Sequence, residues 1–336
     1  MKILITGIAG FIGAWLASLL SRYGYEVFGI DMEDNKLRNE IFLKGCVIEI
    51  FDITDKDRLN RFLTTVKPEI IIHMAASPIV SDSINLPEKT LTNNIVGTLN
   101  VLDYFYKSED TRKFICTTSD KCYKNTEQNF LFSEGDALGA ADPYSSSKAI
   151  QEILCETYAN LLLGQTKRIY TLRLGNVLGG GDLHSSRILP SLFLHKFSNR
   201  ELILRNIDAV RPWQNVLDVV RTIRAIVERL EINNTNFYCY NVGGTADNKI
   251  HRVKDMLDIL EIINYSIADF GYDKRYLQIS TEKIEEELGC IKKYSFLETL
   301  KQCNKWYELY YNAPNELSDY TNRLIDEVIC FENIDN

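Results

Sequence analysis

Two kinds of apolar stretch alternate from the start of the chain. Lys2-Ile-Leu-Ile-Thr6 is short and rich in isoleucine, which suits a strand, whereas Ala14-Trp-Leu-Ala-Ser-Leu-Leu20 has helical composition. Strand-like runs recur at 26–30, ending in Asp31, at 47–51, and at Ile70-Ile-Ile-His-Met-Ala75-Ala76. Strand and helix signals keep alternating as far as Leu174, and that rhythm predicts an α/β fold with a doubly wound parallel sheet of Rossmann type. Residues 86–107 place Leu91, Ile95, Leu99, Leu102 and Tyr106 on one helical face. A second long helix runs from the region of Tyr144 through Ile150, Ile153 and Leu154 to about Leu163. The apolar faces of these helices are expected to be buried inside the domain, or partly against a second copy of the chain. His73, in the middle of an apolar strand, reads as a packed residue and not as a catalyst.

The segment joining the first strand to the first helix is Gly7-Ile-Ala-Gly10-Phe-Ile-Gly13. Its glycines allow a tight turn, close approach to a pyrophosphate and close packing of helix on strand. The helix N-terminus behind it offers free N–H groups and the positive end of its dipole. Gly7, Gly10, Phe11, Ile12 and Gly13 are therefore expected to cradle a dinucleotide. Asp31 lies 18 residues past Gly13, where a carboxylate suits two ribose hydroxyls and repels a 2′-phosphate, so NAD is favoured over NADP. Asp52 and Ile53, after the third strand, are expected near adenine. The small Ala75 and Ala76 let the cofactor approach the fourth strand, and Asn94 is expected to join the same site.

Tyr144 and Lys148, in Asp142-Pro-Tyr-Ser-Ser-Ser-Lys148, follow the run Thr117-Thr-Ser-Asp-Lys121. Residues four apart on a helix share a face, so the ammonium can sit beside the phenol. A free phenol has a pKa of about 10, and bringing it near 7 takes roughly 4 kcal/mol of differential interaction. A neighbouring cation and an oxidised nicotinamide ring supply such a term. Ser119, at the end of an apolar strand, can hydrogen-bond the same substrate oxygen. The implied chemistry is proton removal from a secondary alcohol while hydride leaves for NAD.

The bulk properties narrow the partners. The 336 residues hold 38 basic and 46 acidic side chains, a net charge of −8, with no basic stripe. Nucleic acid and anionic membranes are thus not expected partners, and no apolar run is long enough to span a bilayer. The eight cysteines form no Cys-x-x-Cys pair and have no histidine-rich neighbourhood. That predicts reduced thiols in a cytoplasm, without a metal site or a disulfide framework. The opening strand leaves no expected signal peptide.

These motifs together resemble the extended short-chain dehydrogenase/reductase family. Within it, Ser119-Asp120-Lys121-Cys-Tyr123, Leu138-Gly139, Asp142-Pro-Tyr-Ser-Ser-Ser-Lys148, Gly175-Asn-Val-Leu-Gly-Gly-Gly-Asp182 and Arg211-Pro-Trp-Gln214 are similar to the sugar-nucleotide 4,6-dehydratases, nearest the CDP-glucose branch. The resemblance implies an NAD-binding domain over 1–175 that carries the catalytic residues. It also implies a mainly substrate-binding lobe over 176–312 with some segments returning to the sheet. Residues 313–336 form an extension of unknown role, where Leu317, Tyr320, Leu324 and Val328 fit one helical face.

The implied substrate is a nucleotide sugar and the implied assembly a homodimer. Tyr144, helped by Ser119 and Lys148, would take the proton of the sugar 4-hydroxyl during oxidation at C4. Lys121 occupies the position of the base for the C5 proton, and Asp120 that of the acid for the departing 6-hydroxyl. Alternatively Lys121 stays charged and stabilises the enolate while water or Asp120 moves the proton. Asn176, Arg187 and Arg211 match positions that contact the substrate's phosphates or sugar. An NAD-dependent 4-epimerase, or a dehydrogenase acting at C4, would use the same fold without elimination.

Overall fold

The computed structural model describes residues 1–126, 129–229, 235–268, 275–290 and 292–334. The chain divides into two compact units: Met1–Asn125, Glu134–Leu174 and Ile223–Asn241 form the first, and Thr126–Ser133, Gly175–Thr222 and Val242–Asn336 the second.

The first unit is built on a seven-stranded sheet. Its strands are β1 (Lys2–Thr6), β2 (Glu26–Asp31), β3 (Val47–Ile50), β4 (Ile70–His73), β5 (Lys113–Ser119), β6 (Arg168–Leu174) and β7 (Phe237–Val242). They lie in the order β7-β6-β5-β4-β1-β2-β3, and the pairs from β6 through to β3 are parallel. The chain winds outward in both directions from the junction of β1 and β4, and such a switch point opens a crevice beyond the carboxyl ends of those strands. Thr6 and His73 stand opposite each other there. Leu4, Ile71, Phe114 and Ile169, one from each of four strands, pack with Leu59, Leu63, Leu102 and Phe105 from the helices.

Residues 86–107 depart from the regular helix that their spacing predicts. A helix over Pro87–Leu91 passes through a π-helical turn over Thr92–Val96 before Gly97–Lys107 resumes the α-helix. A π turn adds a residue, which rotates every later side chain by about 100° around the axis. The buried positions are consequently Asn94, Thr98, Val101, Leu102 and Phe105, whereas Leu99 and Tyr106 are 38% and 37% exposed. The Asn94 carbonyl within the turn accepts from Thr98 Oγ1 (2.6 Å) and Gln151 Nε2 (3.1 Å).

His73 is the packed strand residue expected. Its Nδ1 lies 2.8 Å from Thr6 Oγ1 and its Nε2 2.8 Å from Thr98 Oγ1. Burial, with the Lys148 charge nearby, drives its pKa down to about 3, so the ring is neutral near pH 7.

The second unit has no large sheet among its described residues. Asn176–Leu178 pairs with Trp213–Asn215, Ile203–Leu204 with Ser266–Ile267, and Leu131–Phe132 with Gln278–Ile279, all parallel. Its helices include Ile188–Ser198, Val253–Leu260, Phe296–Asn312 and Pro314–Ile334. In the last of these Leu317, Thr321, Leu324, Ile325 and Val328 are buried, and Tyr320 is half-buried.

Candidate active site

The glycine loop is shaped by contacts that leave no room for side chains. Gly7 has φ +73°, and a Cβ on it would lie 2.8 Å from the backbone nitrogen of Ala75. A Cβ on Gly13 would lie 2.3 Å from the Gly7 carbonyl oxygen. The loop is pinned by Gly7 N–H to Ile30 O (2.8 Å) and Gly10 N–H to Gly7 O (3.0 Å). Behind it, the helix Phe11–Arg22 begins at Gly10 with no side-chain cap and no acidic residue in its first turn, as far as the described residues show. Such a terminus presents unspent N–H groups and suits a phosphate.

Asp31 ends β2 with Oδ2 accepting from Ala9 N–H (2.8 Å) and Oδ1 from Met32 N–H (2.8 Å). Burial raises its pKa, and those backbone donors work against the rise. A carboxylate fixed this way at the end of the second strand, beside a bare helix terminus, fits the ribose and pyrophosphate of NAD.

Asp52 and Ile53 follow β3, with the Asp52 carboxylate accepting from Thr54 N–H (2.8 Å) and Ile53 buried. Ala75 and Ala76 follow β4 and are half-buried. Asn94 is fully buried, and its amide is spent on the protein. Its Oδ1 accepts from Ser77 N–H (2.7 Å), and its Nδ2 donates to Ser147 Oγ (2.8 Å) and Ser77 O.

The catalytic candidates gather at the carboxyl end of β5. Ser119 is the last residue of that strand, and Asp120–Cys122 form a 3-10 turn directly after it. The Ser119 hydroxyl donates to Asp120 Oδ1 (2.9 Å) and accepts from Lys121 N–H (3.2 Å). Asp120 is buried and Lys121 half-buried. The helix Pro143–Leu161 packs on both the strand and the turn. Pro143 opens it, and Asp142 caps it by accepting from Ser145 N–H (2.9 Å). One turn in, Lys148 is buried with its ammonium donating to Thr117 O, 3.0 Å away. Burial lowers the Lys148 pKa. Half-buried Tyr144 sits on the preceding turn, its N–H donating to Ser83 Oγ (3.3 Å). Ser119, Asp120 and Lys121 on the strand end and turn, and Tyr144 and Lys148 on the helix, thus lie on elements that pack against each other.

Sequence reasoning missed the polar network that underlies this constellation. Glu152 is four residues past Lys148 and is buried. It takes hydrogen bonds from the Thr118 hydroxyl, from Thr171 Oγ1 (2.9 Å) and from Arg173 Nη2 (3.0 Å). Arg173, also buried, donates to Tyr123 Oη (2.9 Å) and Glu134 O (3.0 Å). Tyr123 in turn donates to Asn241 Oδ1 (2.6 Å). The legible signal was the carboxylate one turn after Lys148, on a helix face that must be buried.

In the second unit, the register of the strand pair sets Asn176 opposite Trp213. Arg211 is buried beside it in sequence, with Nη1 donating to Val210 O (2.8 Å). Arg187 is paired with Asp182, 3.1 Å away.

The family model for GDP-mannose 4,6 dehydratase matches residues 4–303. The chain belongs to that family. Among curated relatives, the CDP-glucose 4,6-dehydratase of Salmonella typhimurium is 28% identical, with 95% of this chain and 96% of the relative covered. Among solved structures, the UDP-glucose 4-epimerase of Thermotoga maritima with UDP-glucose superposes with a TM-score of 0.83 at 23% identity, covering 92% of this chain and 99% of that one. The dTDP-glucose 4,6-dehydratase of Bacillus anthracis in complex with NAD gives 0.78 at 22% identity, covering 92% and 96%. Membership in the GDP-mannose 4,6-dehydratase family and the α/β fold agree with the sequence reading. The family match ends nine residues before the helix Phe296–Asn312 does, so the helix Pro314–Ile334 lies beyond it.

Proposed function

We propose that this chain is an NAD-dependent 4,6-dehydratase of nucleotide hexoses, with CDP-glucose as the first substrate to test. The observation that carries this reading is the joining of Asp120 and Lys121 to Ser119 at the carboxyl end of β5, against the helix of Tyr144 and Lys148. Oxidation at C4 alone needs only a hydroxyl, a tyrosine and a lysine. The additional carboxyl and amine match an elimination, which needs one proton removed and another delivered.

NAD, when bound, would supply the acceptor and later the donor of the hydride. Gly7, Gly10, Phe11, Ile12 and Gly13 would hold the pyrophosphate, Asp31 the ribose, and Asp52, Ile53, Ala75 and Ala76 the remaining surface of the dinucleotide. Asn94 contributes by holding Ser77 and Ser147, the latter one residue before Lys148.

Tyr144, as phenolate, takes the proton of the 4-hydroxyl, while Lys148 stabilises that phenolate and the Ser119 hydroxyl, turning from Asp120, donates to the sugar oxygen. The resulting 4-ketone acidifies the C5 hydrogen. Lys121 removes that proton, and Asp120 protonates the 6-hydroxyl as it leaves as water. After hydride reaches C6, the proton on Lys121 returns to C5. The proton gained by Tyr144 balances the one given up by Asp120, so the net change is loss of water. Arg211 and Asn176 are assigned to the phosphates and sugar of the nucleotide, and a guanidinium fork suits the first role. Arg187 joins them through its pairing with Asp182.

The working form is proposed to be a homodimer. Leu99, Ile153, Leu161 and Leu163 are 38%, 54%, 56% and 71% exposed, and all four lie on or next to the helices Gly97–Lys107 and Pro143–Leu161. An apolar surface of that kind is the usual seat of a partner. The proposed compartment is the cytoplasm, on the ground that the eight cysteines form no Cys-x-x-Cys pair in the sequence.

The deciding experiment is incubation of the purified protein with CDP-glucose and measurement of the product mass. Loss of one water is expected; an unchanged mass, or loss of two hydrogens, overturns the assignment. Parallel thermal unfolding with dTDP-, GDP- and UDP-glucose ranks the nucleotides, because a ligand bound only by the native state raises apparent stability.

A further inference from the structure

The helix Pro314–Ile334 touches none of the chemistry assigned above, yet its buried face is anchored on a polar contact. Thr321, with no exposed surface, accepts from Trp306 Nε1 at 3.0 Å and donates to Leu317 O at 2.8 Å. Trp306 is likewise fully buried, in the helix Phe296–Asn312. Its indole lies against Gly180, where an added Cβ would fall 2.1 Å from the ring. The next residue, Tyr307, donates its hydroxyl to the Asp182 carbonyl and stacks on Phe193 with centroids 4.4 Å apart. Phe193 belongs to the helix Ile188–Ser198, which starts immediately after Arg187. The Asp182 carboxylate then pairs with Arg187. An unbroken line of contacts therefore runs from Thr321 through Trp306 and Tyr307 to the loop 179–187.

We infer that the helix Pro314–Ile334 is a positioning element for that loop, with Thr321 and Trp306 fixing Gly180, Asp182 and Arg187 in the geometry that receives the nucleotide sugar. The inference rests on the proposed function only in taking loop 179–187 as substrate-binding. Glycines at 179–181 make this segment conformationally costly to order, since glycine loses more freedom on folding than any other residue. A flat indole against Gly180 and a hydroxyl on the Asp182 carbonyl oppose that cost from one side. With the brace in place the loop is ordered before the substrate arrives, and binding energy is not spent on ordering it.

The test uses Thr321→Val, which keeps the side-chain shape but cannot accept from Trp306, and Thr321→Ser, which restores the hydroxyl. Trp306→Phe serves as a second lesion that removes the N–H donor without leaving it unsatisfied. For Thr321→Val and Trp306→Phe, KM for the nucleotide sugar is expected to rise about tenfold, the equivalent of one hydrogen bond, with kcat changed by less than about twofold. Bound NAD should be unchanged, and amide exchange in the peptide covering 178–187 should accelerate. Thr321→Ser should restore KM and exchange. Unchanged KM and unchanged exchange in both lesions would overturn the inference, as would a parallel fall of kcat and bound NAD with KM constant. If the wild-type protein turned over no nucleotide sugar, the proposed function would fall, while the exchange measurement would still decide whether the brace exists.

Discussion

The two units build their functional residues by different routes. In the first, the candidates other than Asn94 sit at the ends of strands of four to seven residues or on the first turns of a long helix, and the parallel order of the sheet brings those strand ends to one edge. In the second, strands of two or three residues pair with partners far away in the chain. The difference shows in the ion pairs. Glu152 and Arg173 have side chains 2% and 5% exposed, whereas Asp182 and Arg187 are 7% and 34% exposed. A repeating framework can enclose a charge network and make it part of the site. An irregular one braces its loops by aromatic packing, as Tyr307 does on Phe193.

The largest effect is expected at the site itself. Tyr144→Phe should lower kcat by about a thousandfold, the scale of a lost general base, while bound NAD measured by absorbance stays at the wild-type level. Retained activity would remove Tyr144 from the role given to it.

Next in size is the contrast between the two ion pairs. Glu152→Ala leaves the Arg173 charge buried without its carboxylate and should destabilise the protein by about 3–5 kcal/mol in urea titration. Asp182→Ala should cost no more than about 1 kcal/mol by the same measurement, because the Arg187 guanidinium reaches solvent. Equal losses would erase the distinction drawn here.

A pH series sharpens the same point inside the first unit. The folded-state pKa of His73 is lowered to about 3, against an ordinary value of 6.5, so between those values the unfolded chain binds more protons than the folded one. Its contribution is fully present above pH 6.5 and is lost as pH falls toward 3. His73→Gln should therefore flatten the pH dependence of unfolding across that window. A wild-type profile that the variant reproduces would contradict the buried neutral ring.

The smallest effect on stability should come from Ile153→Lys, within about 0.5 kcal/mol for the isolated chain because the side chain is exposed. Its consequence is for assembly: light scattering should show a dimer for the wild type and a monomer for the variant. A monomeric wild type would remove the proposed dimer.

How much was legible follows the same division. The alternation of Lys2–Thr6, Glu26–Asp31 and Ile70–His73 with helical stretches gave away the sheet, since a parallel strand buried on both faces must be apolar throughout. The glycine loop, Asp31 and the Tyr144–Lys148 spacing stand out in the sequence because each proposed role demands a residue type at a fixed interval. Leu99 and Tyr106, expected to be buried in the domain or against a second copy, are 38% and 37% exposed in the single chain after a π turn at Thr92–Val96 shifts the phase, and no periodic signal announces an added residue. The Glu152–Arg173 pair and the Thr321–Trp306–Gly180 line stayed hidden for another reason. Both depend on contacts between residues far apart in the chain, which spacing alone does not encode.

Oxidation, elimination and reduction are all proposed to occur around one bound sugar, served by Ser119, Asp120, Lys121, Tyr144 and Lys148. The most direct measurement is turnover of CDP-glucose carrying deuterium at C4, with the product read by mass spectrometry and NMR. The expected product is lighter by one water, with the deuterium now on C6. A product that keeps its mass, or one that has lost the label to free NADH, would contradict that proposal.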